Sequence, residues 1–322
     1  MKITARKHLI YLFAAFISLG LGVCSSGDRL PEFRICQTKC EKECLESPQL
    51  PIILRLTLWD CASDCKYKCQ REITIRAQEN GEEIHQYYGK WPFKRLLGMQ
   101  EPASVLFSVL NGYAHYSSWG RIEKRISREN PARFWLKAYV IIGVWTWLWS
   151  SVFHCRDYIF TERMDYYSAG FSVMFMFFIP CTFLMGRASA AVTKSLGVIF
   201  FLFYSMHVGY LQFIRFSYSY NMLANAAVGL LANVAWMAVA YRMSKAGENN
   251  YLMPVTLILL TDLAFSLEAF DFPPLWDTFD AHSLWHAATI PITFYWYRWL
   301  IDVFPAHFSK NNQEFTDGSK FD

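Results

Sequence analysis

Beyond residue 100 the chain is a succession of seven apolar stretches separated by short polar loops: Ser104 to Trp119, Phe134 to Phe153, Met164 to Met185, Leu196 to Phe213, Met222 to Ala240, Leu252 to Ala269, and His282 to Val303. Crossing the roughly 30 Å hydrocarbon core of a bilayer takes about 20 apolar residues of helix. Most of the stretches meet that length, and the pattern predicts an all-α membrane protein with a seven-transmembrane helix bundle over residues 101–304. The first stretch is the weakest, because it carries Asn111 and His115. Hydrophobic residues make up 53% of the chain and charged ones only 18%, which excludes an ordinary soluble domain. No basic block interleaved with aromatics is present, so no nucleic-acid partner is expected.

The N-terminus has the order of a secretory signal peptide, expected over residues 1–25. Lys2, Arg6 and Lys7 precede the apolar run from Leu9 to Val23, and small residues follow. An uncleaved anchor is the other reading. Loop charges test the orientation. The first, third and fifth loops carry nine Lys or Arg residues (Arg121, Lys124, Arg125, Arg128, Arg133, Arg187, Lys194, Arg242, Lys245), against three in the others (Arg156, Arg163, Arg215). The positive-inside rule places the richer loops in the cytosol, which puts residues 26–100 in the lumen and the polar tail, residues 305–322, in the cytosol. That tail is expected to be mobile.

The lumenal segment holds two equal runs of cysteine, Cys36, Cys40, Cys44 and Cys61, Cys65, Cys69. A cysteine every fourth residue forms one stripe along a helix. Two such helices, joined by a turn around Ser47-Pro48 and Pro51, would face each other antiparallel. Geometry then favours the nested pairing Cys36–Cys69, Cys40–Cys65 and Cys44–Cys61 among the fifteen that six cysteines allow. An oxidising lumen suits covalent staples in a head too small for much core. A zinc cluster competes, but there is no C-x-x-C spacing. Cys155 and Cys181 read as apolar fillers in or near membrane helices.

Polar residues gather at one depth of the bundle. Ser150 and His154 end the second apolar stretch, Asp165 opens the third, and His282 and His286 open the seventh. Histidines at i and i+4 project from one helix face and can share a metal. Ser283-Leu284-Trp285 between them contains no glutamate base, so a third ligand and a base must come from elsewhere. His154 and Asp165 supply them. Three protein ligands plus a water make a catalytic zinc site, with Asp165 placed to accept the water's proton and Ser150 to hydrogen-bond the water or an oxyanion. Asp262, Glu268 and Asp280 lie near enough to orient a ligating imidazole, or simply form a wet rim. Asn111, His115 and His207 read as packing or headgroup contacts.

The S-x-x-x-H of Ser150 and His154, the later Asp165, and the H-x-x-x-H of His282 and His286 resemble the pattern of the CREST hydrolase superfamily, which includes alkaline ceramidases and adiponectin-type receptors. Within it the chain resembles the Per1-like family of GPI-anchor remodelling phospholipases. The residues that carry this are the C-x-x-x-C-x-x-x-C head, Gln86-Tyr87-Tyr88-Gly89-Lys90-Trp91-Pro92-Phe93, Glu101-Pro102-Ala103-Ser104, and Asp271-Phe272-Pro273-Pro274. The resemblance implies zinc (Zn2+) held by His154, His282 and His286, with Asp165 and Ser150 around the bound water. It also implies removal of the sn-2 acyl chain from the lipid of GPI-anchored proteins, in the endoplasmic reticulum or Golgi membrane. Two rivals use the same frame: an amidase acting on ceramide-like lipids, and a non-catalytic receptor or chaperone with a structural zinc.

Overall fold

The computed structural model describes residues 25–46, 50–185 and 190–317. The segment expected as a signal peptide lies almost wholly outside them, as do residues 47–49 of the head turn and residues 186–189 of the third loop. The regular secondary structure of the described residues is helical, with three isolated β-bridges in the loops.

The head contains α1 (Pro31–Glu46), α2 (Ile52–Leu56) and α3 (Cys61–Asn80). Asp60 and Ser63 form a reciprocal capping box at the start of α3, and Gly81 ends it in the left-handed conformation at φ 68°. The cysteine stripes of α1 and α3 face each other. The three disulfides are Cys36–Cys69, Cys40–Cys65 and Cys44–Cys61, with Cα–Cα distances of 5.8, 5.6 and 5.9 Å. The pairing is therefore the nested one. A short helix, α2, lies between the two stripes as well as a turn. Phe33, Cys69, Ile73 and Tyr87 make the head's small core, too little apolar burial to hold such a domain without cross-links.

The apolar stretches fold as α4 (Pro102–Tyr116), followed by the short polar α5 (Ser118–Arg125), then α6 (Pro131–Cys155), α7 (Ile159–Met185), α8 (Ala190–Gly209, prolonged by a π turn at Tyr210–Ile214), α9 (Tyr218–Lys245), α10 (Leu252–Phe265) and α11 (Ala281–Asp317). Pro102 and Pro131 sit in the first turns of α4 and α6, where a missing N–H costs nothing. Among the described residues, four helices are each long and apolar enough to cross a membrane: α6, α7, α8 with its π turn, and α9. At 1.5 Å per residue, α4 (15 residues) and α10 (14 residues) reach only about 20 Å. α11 has the length, but His282, His286 and its many Trp and Tyr residues dilute its hydropathy. The helix of α11 continues through Pro305 to Asp317. The Pro305 carbonyl accepts a hydrogen bond from Asn130 Nδ2 at 3.0 Å, which ties that end of α11 to the start of α6.

The main core lies at the end of the bundle away from the head, around Leu136, Phe178, Trp236, Tyr297, Leu300 and Phe304. Arg121, Arg125 and Arg133 flank the same end, where Arg125 pairs with Asp302 at 2.9 Å. Between this core and the head, the His115 ring fills a notch at Gly143 and sets its Nδ1 2.9 Å from the Tyr297 hydroxyl, locking α4, α6 and α11 together. His115 is thus a packing residue. A Cβ at Gly143 would lie 2.0 Å from that ring nitrogen. Gly143→Ala is accordingly expected to lower stability by about 1–3 kcal/mol, read as a reduced unfolding temperature in detergent. An unchanged temperature would show that this contact does not set the helix spacing.

Candidate metal centre

The histidines meet because three helix ends converge under the head. His154 lies in the last turn of α6 and is buried, His282 and His286 share a face of the first turns of α11, and α4 runs beside both. The ring centroids are 5.0 Å (His154–His282), 5.2 Å (His154–His286) and 4.5 Å (His282–His286) apart. Their nitrogens lie within 4.8 Å of one another, a group fit to hold a metal ion.

Each ring is held from behind. His154 Nδ1 is 2.7 Å from Glu101 Oε2, and His282 Nδ1 is 2.5 Å from Glu268 Oε1. His286 Nδ1 is 3.1 Å from Ser108 Oγ, which lies 3.0 Å from Ser150 Oγ. A carboxylate only accepts hydrogen bonds, so it fixes the proton on Nδ1 and turns the Nε2 lone pair forward. The His154 and His282 Nε2 atoms face each other at 3.2 Å. Two nitrogens about 2.0–2.1 Å from one tetrahedral zinc would be about 3.3 Å apart. The donor set and its carboxylate backing therefore fit zinc.

Asp165 lies in the second turn of α7, within electrostatic reach of His154 and His282. Among the described residues its carboxylate takes part in no hydrogen bond or ion pair. Ser150 is buried one turn before His154. Of the five residues expected from the sequence, the three histidines cluster, Ser150 joins them through Ser108, and Asp165 lies within electrostatic reach of two of them. Of the three candidate orienting acids, Glu268 does hold a ring. Asp262 instead bonds Asn233 at 3.0 Å, and Asp280 caps α11 through the Ser283 amide at 2.9 Å. His207 faces Tyr220 and Asn221, at 3.3 and 3.2 Å.

Glu101, Lys90 and Ser108 escape the sequence reading as site residues. Glu101 stands just before the first helix, and its partners are 11 and 53 positions away, so no periodicity marks it. Its second oxygen, Oε1, accepts from Lys90 Nζ at 2.5 Å, and Lys90 also pairs with Asp157 at 3.0 Å. Burial opposes the charge on Lys90, but the Glu101 and Asp157 carboxylates outweigh it and hold the ammonium well above its ordinary pKa. The head also grips the loop before α11. Arg71 bonds Asp277 at 2.7 Å, Gln78 bonds the same carboxylate, and Trp91 and Gln86 bond Asp271 at 2.7 and 2.8 Å. Burial works against ionisation of Asp277, yet the bond from Arg71 keeps its carboxyl below the usual range.

The fold and the site define a helical membrane protein with a disulfide-braced head seated over a three-histidine centre. A model of the Per1-like family matches residues 51–303, and the chain belongs to that family. It is 36% identical over 310 residues to a Schizosaccharomyces pombe protein named "Protein PER1 homolog", covering 94% of each chain. It is 35% identical over 300 residues to the human "GPI-specific phospholipase A2-like PGAP3", covering 91% of this chain and 93% of that one. The zebrafish (Danio rerio) protein of the same name is 34% identical over 296 residues, covering 90% and 93%. No solved structure matches the chain.

Proposed function

We propose that this protein is a zinc-dependent ester hydrolase that removes the sn-2 acyl chain from the lipid of GPI-anchored proteins. The observation that carries the chemistry is the set of three imidazoles, each oriented through Nδ1 so that the other nitrogens share one space. The relatives' names carry the substrate class. His154, His282 and His286 are the metal ligands. Zinc held there would supply a water with its pKa lowered to about 7 and a Lewis acid for an ester carbonyl. Asp165 takes the proton from the attacking water and returns it to the leaving lipid alkoxide as the acyl C–O bond breaks. Ser150 stabilises the negative charge that builds on the carbonyl oxygen. The products are a free fatty acid and a lyso-GPI lipid.

In this reading residues 1–25 are a signal peptide, 26–100 the lumenal head, 101–304 a seven-crossing hydrolase domain and 305–322 a cytosolic tail. The short α4 and α10 cross together with their flanking turns. Head and site lie on the lumenal side of the endoplasmic reticulum membrane, with the Golgi as the alternative. The loop-charge asymmetry supports that side, as does a head braced by three disulfides at the histidine end. Purified protein in nanodiscs, given diacyl GPI, ordinary phospholipid or ceramide with and without a zinc chelator, tests the reading. Chelator-sensitive release of fatty acid from GPI alone is expected. Ceramide turnover would instead identify an amidase, and no turnover with metal bound would indicate a binding protein.

A further inference from the structure

The head contributes a side chain to the site. Lys90 follows a tight turn closed by the Tyr87 and Lys90 backbones, which exchange hydrogen bonds of 2.8 and 3.0 Å. Tyr88 and Gly89 within it take φ of 51° and 78°, the pattern of a type I′ turn. The turn is tied down on both sides. The Tyr87 ring is buried in the head core, the Tyr88 amide donates to Asp28 Oδ1 at 2.8 Å, and the Gly27 amide donates to the Gln86 carbonyl at 3.0 Å. From this base the ammonium reaches between Glu101 and Asp157, 4.3 Å from the centre of the Phe153 ring. Phe153 precedes His154 on α6.

We propose that Lys90 is a positioning residue of the histidine centre: it holds the Glu101 carboxylate in the orientation that aims His154, and so couples the folded head to metal binding. The inference rests on the zinc reading above. Glu101 is buried and has one oxygen for each partner. A carboxylate with two such contacts cannot rotate about its terminal bond without losing one of them. Without the ammonium, Oε1 loses its partner, the carboxylate turns, and the His154 ring follows. The head is therefore part of the site's geometry as well as a lumenal platform.

The test is a double-mutant cycle on the full-length protein, read by zinc affinity in chelator competition and by the visible spectrum of Co2+ bound in place of zinc. Glu101→Gln and Lys90→Met are each expected to weaken zinc binding by about 10- to 100-fold and to alter the cobalt spectrum in the same way. In the Glu101→Gln background, Lys90→Met should cost no more than about twofold further, because both act through one carboxylate. If Lys90→Met alone fails to fold, Lys90→Gln, which can still donate one hydrogen bond to Glu101 Oε1, is measured in its place and is expected to weaken zinc binding less, with the same change in the cobalt spectrum; wild-type values in it would overturn the proposal. Wild-type zinc affinity and cobalt spectrum in Lys90→Met, or losses that multiply in the double variant, would overturn the proposal. Wild-type protein that binds zinc but releases no fatty acid defeats the functional reading and leaves this test intact. Wild-type protein that binds no metal overturns both.

Discussion

Replacing His282 with alanine is expected to empty the centre of metal and to abolish release of fatty acid from GPI, with a rate loss of at least about a thousandfold given what zinc does to the pKa of water. The geometry makes His282 the most demanding of the three positions. Its ring has the shortest centroid separations, 4.5 Å to His286 and 5.0 Å to His154. It also carries the Glu268 contact. The alanine variant removes one ligand and leaves the Glu268 carboxylate facing the space, while the two remaining histidines sit on different helices with nothing to hold them to one ion. The measurement is metal content per mole of protein beside fatty-acid release, on protein shown to retain its disulfides. A variant that keeps both metal and turnover would remove the histidine cluster from the mechanism.

Changing Asp165 to asparagine should separate chemistry from metal binding. Asparagine has nearly the same shape but cannot take a proton. The expected result is metal content like that of the wild type, with turnover reduced by about 10²- to 10⁴-fold, the usual contribution of a general base. Its position supports this role: the carboxylate is close enough to feel His154 and His282 yet is used by neither ring as a backing acid, a task that falls to Glu101 and Glu268. Should the asparagine variant lose its metal, Asp165 would have to be counted as a ligand. Should it keep full turnover, the base lies elsewhere.

The same contrast explains what could be seen before any coordinates. His154 with Ser150, His282 with His286, and each cysteine run are residues four apart on one helix, and helical periodicity alone places such residues on one face. Seven apolar stretches become seven helices for the same local reason. The nested disulfides follow once two matched stripes are set antiparallel. Among the described residues, four of those helices qualify as crossings by their own length and apolarity.

Choosing among Asp262, Glu268 and Asp280 needed the fold. All three lie close to His282 in the chain, but only the 3-10 turn after α10 aims a carboxylate at the ring; Asp262 faces α9 and Asp280 is consumed in a helix cap. Glu101, Ser108 and Lys90 needed it more, because loops and crossing helices bring them to the histidines with no repeat in the sequence to mark them. Local chemistry, in which short-range backbone geometry fixes which side chains share a face, thus determined the helices, the cysteine ladder and the inventory of reactive groups. Which groups back which ring was decided only by the packing of distant segments, because hydrogen-bond partners are set by distance in space and the chain carries no local record of it.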